Sequence, residues 1–228
     1  MENETTSLDS VAIGINKATL NPVFYNFDNL PCSILLSTHI FDNATFYKSI
    51  IYLISRISNV KAYVFDMTGL YDKNYDNVQN CIYNDDLTAS LRNVIMEVNK
   101  ESDGIKRVFF FLGIGVLKES LDDTGKSYYE ALFNNANKFK NSKFIFIDDA
   151  EPFQSLESET WYDQLVVPIN GIWVGDDFSH QSIIDLSRIT DEQEDDEFEY
   201  RAFVNGAKQV IMFKHVVEND EGDDEDGQ

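Results

Sequence analysis

Two adjacent carboxylates at the end of a strongly hydrophobic segment are the residues of this sequence best placed to do chemistry. Asp148 and Asp149 directly follow the apolar segment 144–147. An acid after a buried strand can hold Mg²⁺ through water and help to activate a nucleophile, as nucleotide hydrolysis requires. A carboxylate in the same place can instead cap the next helix, here one beginning near Glu151. Because a phosphate-binding loop is missing, we favour the capping role and keep Asp148 and Asp149 as a candidate acidic site.

The connection after the first buried strand is where phosphate would bind, and its residues are of the wrong types. A phosphate-binding loop needs glycines that let backbone amides approach the phosphate, a lysine, and a serine or threonine for Mg²⁺. Residues 38–49 contain no glycine, and Lys48 falls about one turn into the predicted helix. The Asp42 carboxylate would also repel phosphate. The positions of this degenerate nucleotide site are His39, Asp42, Ala44, Thr45, Lys48 and Ser49.

The most hydrophobic segment of the chain, 108–112, ends without any acid. Leu112 and Gly113 stand where a nucleotide hydrolase could carry its carboxylates, and they complete the degenerate site. The histidines and cysteines show no metal-ligand spacing, and no GxSxG nucleophile motif occurs. We therefore expect no catalytic residue, no metal site, and no binding of ATP or Mg²⁺.

The elements that would position these residues alternate along the chain between strands and helices. Continuous apolar runs predict buried strands, and apolar residues at three- and four-residue spacing predict amphipathic helices. Strands are predicted at 11–15, 23–27, 33–37, 62–65, 108–112, 144–147, 171–174, 201–204 and 209–215. Helices are predicted at 46–57 with Asp42 as its cap, at 87–98, at 127–139, and around Trp161 and Leu165. This order predicts an α/β fold, a mainly parallel sheet with helices on both faces.

The last two predicted strands form a C-terminal hairpin, because Asn205-Gly206 between them is a strong turn signal. We expect one domain over residues 11–215, preceded by a flexible N-terminus over 1–10. A disordered acidic tail is expected over 216–228, because from residue 218 onward the sequence is nearly all acid and glycine.

Acidic residues dominate the charge of the chain. Its 40 acidic and 18 basic residues give a net charge of −22, half of it within residues 191–228. Nucleic acids and anionic membrane surfaces both attract basic surfaces, so this balance argues against binding nucleic acid or contacting a membrane directly. A basic or neutral protein partner is compatible with it. The longest apolar stretch is broken by Lys48 and Arg56, so we expect a soluble, cytoplasmic domain.

Several segments, taken in order, resemble a known family. They are Phe144-Ile145-Phe146-Ile147-Asp148-Asp149-Ala150-Glu151, then Trp161-Tyr162, then Asn170-Gly171-Ile172-Trp173-Val174-Gly175. They resemble the C-terminal ATPase-like domain of EssC, the FtsK/SpoIIIE-type membrane coupling protein of type VII secretion in Gram-positive bacteria. Residues 12–15, 23–27 and 199–208 also resemble its first strands and final hairpin. The resemblance extends over residues 11–215 and depends on the order and spacing of these segments.

The resemblance implies a RecA-like P-loop NTPase fold, one of several ATPase modules in a membrane-anchored chain. Active modules of the family carry a glycine-rich loop and an Asp-Glu pair after the hydrophobic strand, and this sequence departs from both patterns. The implied partners are secreted helical-hairpin substrate proteins and the neighbouring ATPase domains, with a hexamer in the assembled system. Candidate docking segments are the aromatic-rich 41–47 and 161–162, although ordinary core packing also accounts for their composition.

Three functions remain open from the sequence. The chain is a non-hydrolytic module that recognises secretion substrates or regulates neighbouring ATPase domains, a divergent nucleotide hydrolase that uses Asp148 and Asp149, or a purely structural assembly module. The missing glycines count against the second. No feature of the sequence separates the first from the third.

Overall fold

A ten-stranded sheet runs through the part of the chain that the computed structural model describes, residues 7–71, 78–80, 87–100, 104–168, 171–178, 181–189, 201–204 and 208–212. The strands are β1 (Val11–Asn16), β2 (Pro22–Tyr25), β3 (Cys32–Ser37), β4 (Val60–Asp66), β5 (Val78–Asn80), β6 (Lys106–Leu112), β7 (Ser142–Asp149), β8 (Gly171–Val174), β9 (Arg201–Val204) and β10 (Lys208–Met212). Their order across the sheet is β2-β1-β10-β9-β8-β3-β7-β6-β4-β5.

The sheet has a parallel half and an antiparallel half. Strands β8, β3, β7, β6, β4 and β5 run parallel to one another, whereas β9, β10, β1 and β2 pair in antiparallel fashion. The predicted α/β class with a mainly parallel sheet is confirmed. Strand β3 lies between β7 and β8, so their carboxyl ends meet at one edge of the sheet, where open α/β sheets bind ligands.

Helices cover both faces of the parallel half, as predicted. They are α1 (Ala44–Ser55), α2 (Leu87–Val98), α3 (Ile114–Leu117), α4 (Asp123–Phe133), α5 (Ala150–Gln154) and α6 (Tyr162–Leu165), with 3₁₀ turns at Lys118–Ser120, Ala136–Lys138 and Ser155–Ser158. Helix α1 packs on one face, and the buried residues of α2 to α6 pack on the other. Within the described residues, no helix combines the length and the apolar character needed to cross a membrane.

Because helices pack on both faces of the sheet, the parallel strands are continuously apolar. All six residues of β3 are buried, and successive side chains alternate between two cores. Leu35 packs in the core that contains α1, whereas Ile34 and Leu36 pack in the opposite core. Aromatic rings extend the second core across neighbouring strands, as in the stack of Phe109 on Phe144 at 5.7 Å between ring centroids.

Two helix starts differ from the predictions. Helix α4 begins at Asp123 rather than 127, since the Asp122 carboxylate accepts a hydrogen bond of 2.6 Å from the Gly125 amide. It ends at Phe133, well before residue 139. Asp42 does not cap α1: Asn43 occupies the cap position, and no side-chain hydrogen bond closes this end of the helix.

The described residues extend to the N-terminal side of β1 and include the last two strands. Leu8 is buried, and its carbonyl accepts a hydrogen bond of 2.8 Å from the Phe27 amide. Leu8, which lies in the segment expected to form a flexible N-terminus, thus contacts the strands that follow it. Antiparallel pairing of β9 with β10 confirms the C-terminal hairpin. The Asn205-Gly206 turn, residues 213–215 of the last predicted strand and the acidic tail lie outside the described residues.

Asp66, at the end of β4, organises the loop that follows it. Its side chain is buried and accepts hydrogen bonds from the backbone amides of Thr68 (2.8 Å), Gly69 (3.0 Å) and Tyr71 (2.8 Å). The Thr68 hydroxyl donates a further bond of 2.7 Å. One carboxylate thus accepts hydrogen bonds from several loop donors, of which the Tyr71 amide is buried.

Replacing Asp66 with alanine should lower the free energy of unfolding by about 2–4 kcal/mol, because the buried Tyr71 amide and two further loop amides lose their acceptor at once. Urea denaturation followed by circular dichroism would measure this. Asp163→Ala is the matched control, since Asp163 is an exposed aspartate on α6, and its stability should equal that of the unaltered chain. Equal stability of the Asp66 variant would contradict this account of the loop.

Candidate functional site

The candidate site lies at the carboxyl edge of the parallel half, where β3, β6, β7 and β8 end. Helix α1 follows β3 after six residues, 38–43. In this fold the connection between them is the segment that would cradle a phosphate. Its composition and its contacts therefore decide what the site can bind.

The β3–α1 connection is a turn closed by its own backbone and side chains. The Asn43 side-chain amide donates to the His39 carbonyl at 3.2 Å, and backbone bonds run from Asn43 to Ile40 and from Ala44 to Phe41. His39 and Asp42 are exposed. The connection thus has the ordinary form of a helix entry, without the glycines that would open its amides to a phosphate.

The helical positions of the predicted degenerate site are spread around α1. Thr45 is exposed, Ala44 and Lys48 are half-buried, and Ser49 is buried. The Ser49 hydroxyl donates back to the Thr45 carbonyl at 2.7 Å. Because these residues lie along the helix and not in a loop around one point, they do not form a common pocket.

Asp148 and Asp149 instead hold the backbone of two neighbouring segments. The Asp149 carboxylate accepts a hydrogen bond of 2.5 Å from the Ile40 amide in the β3–α1 connection. The Asp148 carboxylate accepts from the Gly115 amide of α3 at 2.7 Å, and its other oxygen accepts from the Asp149 amide at 2.8 Å. Asp149 occupies the cap position of α5, but its side chain makes no capping bond there. The predicted helix-capping role is therefore wrong, because both carboxylates face other elements.

Burial strongly perturbs this acidic pair. Desolvation raises the pKa of Asp148 from its ordinary value of 3.8 to about 7, and repulsion by Asp149 adds to the rise, while the amides of Gly115 and Asp149 oppose it. The pKa of Asp149 is also raised, chiefly by burial, while the Ile40 amide and His39 oppose the rise and Asp42 adds to it. Asp148 thus exchanges its proton near neutral pH.

The end of β6 leaves no room for a carboxylate. Leu112 is fully buried, and Gly113 has a φ of +76°, in the left-handed region that favours glycine. A Cβ at Gly113 would lie 2.8 Å from the Thr68 side chain. An acid at Gly113 would therefore be strained as well as crowded, and this predicted degenerate position is fixed by packing.

A cleft of about 240 Å³ opens beside the β3–α1 connection, between it and the residues after β8. It is lined by Thr38, His39, Asp42, Asn43, Val174, Gly175, Asp176 and Asp177. The Arg201 guanidinium of β9 donates to Asp176 at 2.5 Å, so one of the three carboxylates is neutralised by a buried cation. Asp42 and Asp177 still make the cleft unfavourable for phosphate.

Sequence reasoning missed the part of this cleft that comes from β8. Asp176 and Asp177 follow a predicted parallel strand, and the rule that ligands bind at the carboxyl ends of such strands could have identified them. Among the described residues, no group of three histidine, cysteine or acidic side chains is arranged to hold a metal ion.

The two aromatic docking segments predicted from the sequence are mostly core. Phe46 and Tyr47 are buried in α1, and Trp161 and Tyr162 are buried between α6 and the sheet. Phe41 is the exception, because its side chain is 62% exposed beside the cleft-lining Asp42. The β3–α1 connection therefore presents one large apolar side chain to solvent.

Comparison with known proteins identifies the fold. No protein-family model matches the chain, and no curated protein matches it. The cytoplasmic domain of EssC is similar in structure, with a TM-score of 0.66 and 15% identity over 94% of this chain. EssC ATPases 2 and 3 from Geobacillus thermodenitrificans are also similar, with a TM-score of 0.63 and 14% identity over 91% of this chain. EccC ATPases 2 and 3 from Thermomonospora curvata, in complex with a signal sequence peptide, have a TM-score of 0.51 and 10% identity over 72% of this chain.

The chain spans less than half of each of these structures, namely 45%, 42% and 33% of their lengths. This chain shares with them the fold of the cytoplasmic ATPase domains of EssC and EccC, as the sequence resemblance indicated. The expected P-loop NTPase fold is therefore confirmed.

The raised pKa of Asp148 predicts a specific pH dependence of stability. Between pH 3.8 and about 7 the folded chain holds a proton that the unfolded chain releases, so stability falls as the pH rises through this range. Relative to Asp148→Asn, the unaltered chain should lose about 2 kcal/mol between about pH 5.5 and about pH 8.5.

Urea denaturation of both proteins across this pH range measures the difference. Asp163→Asn, which removes an exposed carboxylate, should follow the pH profile of the unaltered chain. If the free energy of unfolding changed with pH in the same way in the unaltered chain and in Asp148→Asn, burial would not raise the pKa of Asp148.

Proposed function

We propose that this chain is an ATPase-like module of a type VII secretion coupling protein that does not hydrolyse nucleotide and that recognises secretion substrates. The observation that carries the first part is the contact of Asp149 with the Ile40 amide. A phosphate would need amides of this connection, and the Asp149 carboxylate already accepts a hydrogen bond from one of them. The acidic cleft and the crowded Gly113 support the same conclusion.

The proposal extends to the place of the module in its parent protein. Its structural neighbours are cytoplasmic ATPase domains, two of them in structures that contain ATPases 2 and 3. We infer that this module lies on the cytoplasmic side of a membrane-anchored chain, next to other ATPase domains. Contacts with those domains would also allow it to regulate them.

Mg-ATP should give no heat of binding in isothermal titration calorimetry and no phosphate release. Lys48→Ala should behave like the unaltered chain, because Lys48 lies along α1 and not in a phosphate loop. The divergent-hydrolase alternative makes the opposite prediction. Mg²⁺-dependent heat that disappears in Asp149→Ala, but not in the cleft variant Asp177→Ala, would establish that alternative and overturn ours.

Recognition of a secretion substrate would place an apolar segment of that substrate against an exposed apolar side chain. The EccC structure that shares this fold contains a signal sequence peptide. In this chain, Phe41 is exposed beside a cleft whose remaining charge is negative. These features favour a helical signal that carries both apolar and basic residues.

A fluorescently labelled helical-hairpin substrate of a type VII system provides the probe for this part of the proposal. Phe41→Ala should weaken its binding about tenfold, the usual scale for loss of an aromatic anchor. Phe24→Ala is the matched control, since Phe24 is 51% exposed on β2, five strand positions from β3. Fluorescence anisotropy gives the dissociation constants.

Two outcomes contradict substrate recognition at Phe41. Equal weakening by Phe41→Ala and Phe24→Ala would indicate nonspecific apolar contact. Absence of binding to the unaltered chain, together with stable association with an adjacent ATPase domain, would establish the purely structural role.

A further inference from the structure

The Asp148–Asp149 pair connects segments on opposite faces of the sheet. The Asp149 carboxylate accepts a hydrogen bond from the Ile40 amide, which precedes α1 on one face of the sheet. The Asp148 carboxylate accepts one from the Gly115 amide in α3, on the other face. The two acids are consecutive, and the Asp148 carboxylate also accepts from the Asp149 amide. A change at either carboxylate is therefore transmitted directly to the other.

The contact with α3 is tightly constrained by packing. A Cβ at Gly115 would lie 2.4 Å from the Pro152 carbonyl oxygen of α5, so α3 approaches α5 as closely as a glycine allows. Asp148 itself is only 4% exposed. Neither water nor another side chain can readily replace this carboxylate as the acceptor for the Gly115 amide.

The charged and titratable groups around the pair come from three elements. His39 and Asp42 act on Asp149 from the β3–α1 connection, with opposite effects on its charge. Tyr47 faces both acids from α1, and its hydroxyl is buried. Glu151 on α5 is exposed, and the four residues of α3 contribute no ionisable side chain.

We propose that Asp148 and Asp149 form a proton-dependent latch, in which one protonation changes the hold on the β3–α1 connection and on α3 together. When both acids are ionised, each gives its amide a charge-assisted hydrogen bond, which is stronger than a bond to a neutral acceptor. A proton on Asp148 weakens the bonds from Gly115 and from the Asp149 amide. It also removes the repulsion between the acids, so the contact of Asp149 with Ile40 changes in the same step.

Such a pair titrates as a unit, and its apparent pKa values belong to both acids. The burial of Asp148, which raises its pKa to about 7, places one step of this titration near neutral pH. The latch is independent of the proposed function, because it concerns contacts within the chain and needs no nucleotide or substrate.

A pH titration of the ¹⁵N-labelled full chain by NMR tests the latch directly. The amide signals of Ile40 and Gly115 should shift with one common midpoint, although 75 positions separate the two residues in sequence. In Asp148→Asn, the Gly115 shift should disappear, and the remaining Ile40 shift should move to lower pH because Asp149 then titrates alone.

His39→Gln is the decisive control, because it removes the imidazole next to Ile40 and leaves both acids in place. In this variant, the Ile40 and Gly115 amide signals should still shift with a common midpoint. Different midpoints for the two amides, or loss of the Ile40 step in His39→Gln, would overturn the proposal. The carboxyl-carbon signal of Asp148 in the unaltered chain gives a second measurement, and it should titrate at the same midpoint as both amides whether or not Asp148→Asn folds.

Discussion

A carboxylate of one parallel strand binds the backbone amide that follows its neighbour, and the character of the site depends on this contact. Strands β3 and β7 pair in register to their last residues, so Asp149 ends opposite Ser37 and next to the β3–α1 connection. From there it accepts a hydrogen bond from Ile40. The amide is thereby satisfied within the chain, and an anion from solvent would have to displace a negative charge that is covalently fixed beside it.

Burial of this acidic pair opposes the stability that the sheet provides. The parallel strands are covered on both faces, which removes water from their carboxyl ends and raises the pKa of Asp148. Ionised Asp148 is kept in place by the Gly115 amide, and Gly115 is held by its close approach to Pro152. The edge of the sheet is thus tightly packed but sensitive to protons, and strongly perturbed pKa values cluster at functional sites.

The fold and the site lead to different functional statements. The fold is that of EssC and EccC ATPase domains, yet a fold does not fix the chemistry performed on it. At the position of a phosphate loop, this chain has a closed turn, an internal carboxylate and the exposed side chain of Phe41. These features suit contacts with another protein better than contacts with a nucleotide, and our proposal follows from that difference.

The sequence by itself determined the class of the fold and the absence of a glycine-rich loop. Apolar periodicity is a local property, so the buried strands and α1 could be predicted from it. The lack of an acid at Gly113 is visible in the sequence itself. Only the tertiary structure decided that Asp149 binds Ile40, that Arg201 pairs with Asp176, and that Phe41 is exposed whereas Trp161 is buried. The physical reason is sequence distance: Ile40 and Asp149 are 109 residues apart, and strand order and register, which local patterns do not specify, bring them into contact.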